Sequence, residues 1–448
     1  MQHDLQATSP LHEWLSYLEK SHFKTIDLGL ERVKSVAEEL NVLQPAPFVI
    51  TVGGTNGKGT TCRLLETILF RAGYRVGVYS SPHLIRYNER VRIQNRELAD
   101  SEHTKSFAFI NQHKSQSLTY FEFSTLSALH LFKQAKLDVV ILEVGLGGRL
   151  DATNIVDSDI AVITSIDIDH VDFLGTSREQ IAIEKAGIFR AHKPVVIGEP
   201  DVPHTMLDYA EQLGCEMIRC NNDWQFNQQN NGWCWLGRDK KRTEVRLENL
   251  PFCRIPLPNA ATALAVIYQL PFAISNQIIH QSLQETELTG RFQTIHSAQL
   301  WPLAKITAKN VDELPQVVID VGHNPHAARY LSTELSKLKM QVSGKIIAVC
   351  GILKDKDASG VLSPLVSIID TWYCVGLTGE RGQTGATLFV TLQQIAQQQE
   401  ILIRGESAES VLAGVKSAVE KSTKNDIVLV FGSFHTVGDF LQFLQENQ

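Results

Sequence analysis

The sequence predicts an α/β protein of two domains. The first is a P-loop-type domain on a mostly parallel sheet, with a small antiparallel β subregion; the second is a smaller, Rossmann-like α/β domain. Three observations predict this. Apolar runs of strand length alternate with stretches of helical spacing, the pattern of a parallel sheet covered on both faces. A glycine-rich turn, Gly54-Thr55-Asn56-Gly57-Lys58-Gly59-Thr60, joins the apolar run Phe48, Val49, Ile50, Val52 to the helical pattern Leu64, Leu65, Ile68, Leu69. The alternation breaks near Leu288–Thr294 and then restarts, placing the domains at 1–288 and 289–448 of a chain too long for one ordinary core.

The elements follow in order. Leu11–Leu18 and Leu28–Leu40 read as amphipathic helices ahead of the strand and glycine-rich loop. Arg75–Ser80 reads as a second strand, Phe121–Phe132 as a helix, and Asp138–Val144 and Ile160–Ile166 as buried-type strands. Arg178–Gly187 is helical and Pro194–Ile197 a short strand. Residues 215–255 carry short alternating runs punctuated by Asn231-Gly232 and Gly237, which suit antiparallel hairpins. Trp233 and Trp235 could stack on a ligand, but packing of the hairpin is the expected role of such large aromatics. Asn259–Tyr268 and Ile274–Leu283 read as helices. Beyond the break, Val317–Val321, Lys345–Val349 and Ile427–Phe431 read as strands, and Arg329–Leu338 and Leu388–Gln398 as helices.

Composition excludes several functions. The net charge is −7, from 42 basic and 49 acidic side chains with no basic block, which argues against nucleic acid or an anionic membrane as main partner. Met1–Pro10 is polar and lacks a secretory apolar core, and no apolar run approaches the roughly 20 residues of a membrane span. The cysteine count of 7 is odd and no CxxC spacing occurs, so free thiols of a cytoplasmic protein are expected.

Chemistry concentrates at predicted C-terminal strand ends, where ligands gather in open parallel sheets. In the glycine-rich loop, backbone N–H groups would converge on an anion beside a helix N-terminus. Lys58 would neutralise phosphate, and the Thr60 hydroxyl could reach a phosphate-bound Mg²⁺. Val52 and Gly59 depart from the strict P-loop pattern, leaving a purely structural turn as the alternative. Glu143 closes an apolar strand as a metal ligand or an ion-pair partner. The Gly147–Asn154 loop follows it, with Arg149 as a forked donor for an anion or a plain turn residue. His170 follows Asp167 and Asp169 at another strand end, where site, surface and capping roles compete. Lys185, read by itself, is an exposed helix lysine. Asp320 to Pro325 and Ser433-Phe434-His435 end strands of the second domain, as ligand contacts or caps. Arg291 lies at the break, where domain closure would carry it onto phosphate.

Taken in order, these segments resemble the folylpolyglutamate synthase family, of the bifunctional dihydrofolate synthase type, related in fold to the Mur peptide ligases. The resemblance runs nearly end to end: Trp14–Glu19 with Ile26–Leu30, the Gly54–Thr60 loop, Ser81-Pro82-His83-Leu84, Glu143–Asn154, Asp167–His170, Glu184-Lys185-Ala186-Gly187, Gly290-Arg291-Phe292, Asp320–Pro325 and Phe431–His435. It implies an ATP-dependent ligase joining L-glutamate to dihydropteroate and to folate glutamate tails through an acyl phosphate, acting as a monomer. It implies ATP contacts at Gly54, Thr55, Asn56, Gly57, Lys58, Gly59, Thr60, Asn259, Arg291 and Asp320. It places two Mg²⁺ ions near Thr60, Ser81, Glu143, His170 and Lys185, the last carbamylated, which reverses the surface reading of that residue. His323 and Ser433 would lie near the incoming glutamate; Thr119, Phe121, Asp151 and Ala152 would form a pterin-side pocket. Lys58, His170, Lys185 and His323 would carry the catalytic roles. Thr60 stands where Ser is commoner, and Val321-Gly322 where Gly-Ala is usual. A Mur-type ligase of UDP-linked substrates and a non-catalytic nucleotide-binding module remain the rival readings.

Overall fold

The structure is a computed structural model describing residues 5–447; residues 1–4 of the polar N-terminal stretch, and residue 448, lie outside the described residues. The chain divides into two compact units, Met1–Glu287 and Leu288–Gln448.

The first unit, among the described residues, holds an eight-stranded sheet ordered β4-β3-β2-β5-β1-β6-β7-β8. Its strands are β1 (Phe48–Gly53), β2 (Val76–Tyr79), β3 (Val91–Ile93), β4 (Arg96–Glu97), β5 (Val139–Glu143), β6 (Ile160–Ile163), β7 (Pro194–Ile197) and β8 (Glu216–Arg219). The run from β2 to β8 is parallel; β3 and β4 add an antiparallel edge. Its helices are α1 (Leu11–Lys20), α2 (Glu31–Glu39), α3 (Lys58–Arg71), α4 (Asp100–His113), α5 (Tyr120–Ala135), α6 (Val171–Leu174), α7 (Arg178–Ala186), α8 (His204–Gln212), α9 (Leu257–Ile267) and α10 (Asn276–Glu285). They cover both faces. Ile50, Val52, Ile141 and Val162 face a core shared with α3 and α9, whereas Val49, Val140 and Leu142 face one shared with α1, α2, α4 and α5. This period-2 division of β1 and β5 between two cores explains their nearly continuous apolar character.

A three-stranded antiparallel sheet, β9 (Gln225–Gln229), β10 (Gly232–Arg238) and β11 (Glu244–Leu250), packs on the first core. Trp233 and Trp235 are fully buried there, and their indole N–H groups donate to Pro251 O and Ala261 O at 2.8 and 3.1 Å. The tryptophans therefore pack the hairpin.

Three sequence expectations need correction. The helix expected from Leu28 starts at Glu31, because Gly29, at φ 153°, breaks the turn before it. The strand expected to reach Ile166 stops at Ile163, because Thr164 and Ser165 turn away to hold the glycine-rich loop. The stretch after Cys215 is not all hairpin: β8 pairs in parallel with β7 and extends the main sheet.

The second unit, among the described residues, holds a six-stranded sheet ordered β12-β13-β17-β14-β15-β16. These are Gln293–Thr294, Gln316–Asp320, Ile427–Phe431, Ile346–Cys350, Thr371–Val375 and Gly405–Ala408 in that spatial order. All pair in parallel except β12, antiparallel at the edge. Helices α12 (Pro325–Lys339), α14 (Gly385–Gln398) and α16 (Phe434–Glu446) are among those flanking it, with α11 (Trp301–Thr307), α13 (Ala358–Leu362) and α15 (Val411–Glu420) completing the chain order.

Candidate active site

The order β2-β5-β1-β6 places three chemically loaded loops side by side. Val52 on β1 is in register with Glu143 on β5, and Gly53 with Ile163 on β6. The glycine-rich loop therefore leaves the sheet between Glu143 and the segment that runs to His170.

That loop is fastened to the segment that follows β6 and, through Asn259, to α9. Thr55 N–H donates to Ser165 O at 2.8 Å and Asn56 N–H to Ser165 Oγ at 3.0 Å. Thr164 Oγ1 and Ser165 Oγ donate to Asn56 O at 2.6 and 3.0 Å. The Thr55 hydroxyl closes a ring with the Asp167 backbone, donating to its O at 2.9 Å and accepting from its N–H at 3.0 Å. Two glycines are sterically required. A Cβ on Gly54 (φ 146°) would meet Thr164 Oγ1 at 1.9 Å, and one on Gly57 (φ 86°) would meet Asn259 Oδ1 at 2.4 Å. Asn259 itself, on α9, donates to Thr60 Oγ1 at 2.8 Å, and Thr60 donates to Gly57 O at 3.0 Å. Lys58 begins α3 and curls over the loop, its ammonium donating to Gly54 O and Thr55 O at 2.9 and 3.2 Å. Gly59 follows it in the first helical turn.

Glu143 is 5% exposed, and its Oε2 accepts from the Ser81 N–H at 3.3 Å across the ends of β5 and β2. The two residues thus adjoin. Among the described residues no three His, Cys, Asp or Glu side chains form a preformed metal cage. What the site offers instead is one carboxylate with serine and threonine hydroxyls beside a phosphate-type loop. That donor set fits Mg²⁺, a hard cation bound by one or two carboxylates together with substrate phosphates and water.

Lys185, near the end of α7, is 4% exposed, so the surface reading of its sequence position is wrong. The helix turns this face inward because Ile181, Ala182 and Ala186 pack on the sheet. Burial, reinforced by the Lys58 ammonium, pushes the Lys185 amine down to about 7, with Asp169 and Asp151 opposing. His170 has a left-handed backbone, φ 52°, and its side chain is 40% exposed, with Nε2 at 3.9 Å from Asp169 Oδ2.

Thr119 caps α5, accepting from Glu122 N–H at 3.2 Å. Asp151 is buried among four donors: Gly145 and Leu146 N–H on one oxygen, Thr153 N–H and hydroxyl on the other, at 2.7–3.0 Å. Burial raises its pKa against those hydrogen bonds. Phe121 packs on Gly145, leaving no room for a Cβ there, and buried Ala152 follows Asp151 in a 3₁₀ turn. Thr119 and Asp151 thus have structural roles that spacing does not reveal.

In the second unit, half-buried Asp320 accepts from the N–H groups of Phe292 and Gly322 at 2.8 and 2.7 Å. Its pKa is raised by burial and drawn back by the Arg291 guanidinium, which lies 5.1 Å over the Phe434 ring. His323 Nδ1 lies 3.0 Å from Val321 O, and Ser433 caps α16 through Thr436 N–H at 3.0 Å. Sequence reasoning missed Thr164 and Ser165; their position at the end of β6 is the signal that could have found them.

A phosphate-type loop and an adjoining carboxylate at one sheet edge, followed by a second α/β unit, define an ATP-dependent ligase of the Mur type. The Mur ligase middle domain matches residues 52–230, and the Mur ligase glutamate ligase domain matches residues 306–434. The dihydrofolate synthase/folylpolyglutamate synthase of Haemophilus influenzae is 65% identical over 97% of this chain and 98% of its own. That of Escherichia coli is 51% identical over 99% and 97%. The structure of E. coli FolC in complex with DHPP and ADP superposes with a TM-score of 0.89 at 49% identity, covering 98% of this chain and 99% of that one. A bifunctional folylpolyglutamate synthase/dihydrofolate synthase with Mn, AMPPNP and L-glutamate bound gives 0.87 at 50% identity, covering 99% and 100%. The chain belongs to the dihydrofolate synthase/folylpolyglutamate synthase family. No helix among the described residues is long and apolar enough to cross a membrane.

Proposed function

We propose that this protein uses ATP to join L-glutamate to dihydropteroate and to the glutamate tail of folates. The observation that carries the reading is the juxtaposition of the Lys58 loop with Glu143 and Ser81 at neighbouring strand ends. The bound ligands of the related structures, DHPP, ADP, AMPPNP, Mn and L-glutamate, support it.

A carboxylate is a poor acyl donor because its oxyanion leaves badly. One carboxylate oxygen attacks the γ-phosphorus of ATP, the bond to the β-phosphate oxygen breaks, and ADP departs. The glutamate amine then attacks the acyl carbon, the tetrahedral intermediate expels phosphate, and the amine proton is lost. The protein's work is positioning and neutralisation of charge. The amides of Gly54–Gly59 and the Lys58 ammonium hold the phosphates. Thr60, Ser81 and Glu143 hold one divalent ion; His170 and a carbamylated Lys185 hold a second. Such ions, when bound, offset the negative charge crowded between ATP and the acid substrate. Asn259 sets the Thr60 hydroxyl. Arg291 and Asp320 contribute to ATP binding, His323 and Ser433 to glutamate binding. Thr119, Phe121, Asp151 and Ala152 border the pterin.

The Lys185 environment supports the carbamate. Only a neutral amine adds CO₂, and burial beside Lys58 lowers the pKa of this amine to about 7, so that a substantial fraction is unprotonated near neutral pH. The adduct is an anion, a hard oxygen donor in place of a cation.

Phosphate release with ATP, Mg²⁺ and glutamate tests the function. Release is expected with dihydropteroate and with tetrahydrofolate; release only with UDP-linked peptides, or with neither, would select a rival reading. Glu143→Ala is expected to raise the Mg²⁺ concentration for half-maximal turnover about tenfold or more. An unchanged Mg²⁺ titration would remove Glu143 from the metal site.

A further inference from the structure

We propose that buried Glu66 and half-buried Arg92 form a positioning strut that fixes the Ser81 strand end against the phosphate-loop helix. The inference rests on the reading of Ser81 as a metal ligand. Glu66 lies on α3 with no solvent exposure, two turns beyond Lys58. Arg92 lies on β3, and its Nε donates to both carboxylate oxygens of Glu66 at 3.1 and 3.0 Å, with Nη2 at 2.9 Å from Oε2. Arg63 adds a further donor to Glu66 at 3.0 Å.

The other arm of the same guanidinium reaches elsewhere. Arg92 Nη1 donates to Ser80 Oγ and to Glu89 O, each at 3.2 Å. Ser80 N–H donates to Arg90 O at 2.9 Å, and the Glu89 carboxylate collects the N–H groups of Leu84, Ile85 and Arg86 at 2.7–2.8 Å. One side chain therefore ties the helix that carries Lys58 and Thr60 to both ends of segment 80–90, in which Ser81 is the second residue.

Packing alone would not select this pair. Burying an arginine and a glutamate is costly, and a well-packed apolar pair of similar volume is often at least as stable. What an apolar pair lacks is the fork. A planar guanidinium can hold a carboxylate with one edge and two further acceptors with another, which a lysine ammonium on a flexible stem does not reproduce.

The test uses Arg92→Lys and the double variant Glu66→Met/Arg92→Met. Both are expected to fold, the double variant melting within about 5 °C of the parent. In both, the Mn²⁺ half-saturation of the nucleotide complex, read by direct titration, is expected to rise about tenfold. Amide hydrogen exchange across residues 80–90 in the metal-free protein is expected to quicken about tenfold as those segments open locally. Folded variants with parental exchange and parental Mn²⁺ half-saturation would overturn the strut. Should neither variant fold, Ser80→Ala removes one anchor alone; a shift of about threefold in both readouts supports the strut and no shift overturns it. Ser81→Ala separates the two claims. If it leaves Mn²⁺ binding unmoved, the ligand reading of Ser81 fails, while the exchange measurement still decides the strut.

Discussion

Lys58→Ala is expected to lower the rate of phosphate release by about 10³-fold while leaving the fold intact. The ammonium is the one cationic side chain in the loop, so its removal leaves phosphate charge developing against backbone dipoles alone. The structural cost is small. Among the described residues, Lys58 donates to Gly54 O and Thr55 O of its own loop, and a hydrogen bond of that kind contributes about 1 kcal/mol. The loop's other anchors, through Thr164, Ser165 and Asp167, do not involve Lys58. Turnover should therefore collapse while the thermal midpoint moves by no more than a few degrees. Near-parental turnover would refute the assigned role.

Lys185→Ala is expected to lower turnover by about 10²-fold, and acetate or another short carboxylic acid should restore part of it by supplying the missing anion. The parent should also respond to dissolved CO₂. Stripping bicarbonate should depress its activity, and restoring it should recover activity, whereas the alanine variant should show neither effect. The pH dependence has a fixed sign. In the unmodified protein the folded-state pKa of Lys185, about 7, lies below the ordinary lysine value of 10.5. Between those values the unfolded chain binds more protons than the folded one, so stability should rise with pH from about 7 to 10. Lys185→Met should flatten that rise in a chemical-denaturation series. A high-resolution map showing an unmodified lysine remote from any metal would end the carbamate idea, whatever the kinetics.

Much of this protein is legible along the chain. The glycine-rich loop, the strand closed by Glu143 and the helix bearing Lys185 each sit inside one local pattern of strand, turn or helix. The strand Pro194–Ile197 and the strand Ile427–Phe431 are found where their apolar runs lie, because parallel strands buried on both faces need such runs. The start of α2 was less legible, because Leu28 and Leu30 continue a helical spacing that Gly29 interrupts. The course of Thr164 and Ser165 was hidden for a different reason. β-Branched and small residues after an apolar run look like more strand, and only the neighbouring loop shows why the chain turns there.

By itself, then, the sequence determined the fold class and the chemical inventory: a phosphate-type loop, a strand-end carboxylate and a set of hydroxyls and lysines. Those depend on periodicity and on residue type, which are local. The tertiary structure alone decided which of these groups adjoin and how each is charged. Asn259 meets Thr60 across 199 residues of chain because α9 packs on α3, and Glu143 meets Ser81 across 62 because the sheet sets β5 beside β2. Lys185 became a buried amine of lowered pKa because α7 turns it toward the sheet. A pKa is set by the dielectric and the charges around a group, and those surroundings exist only once the sheet has formed.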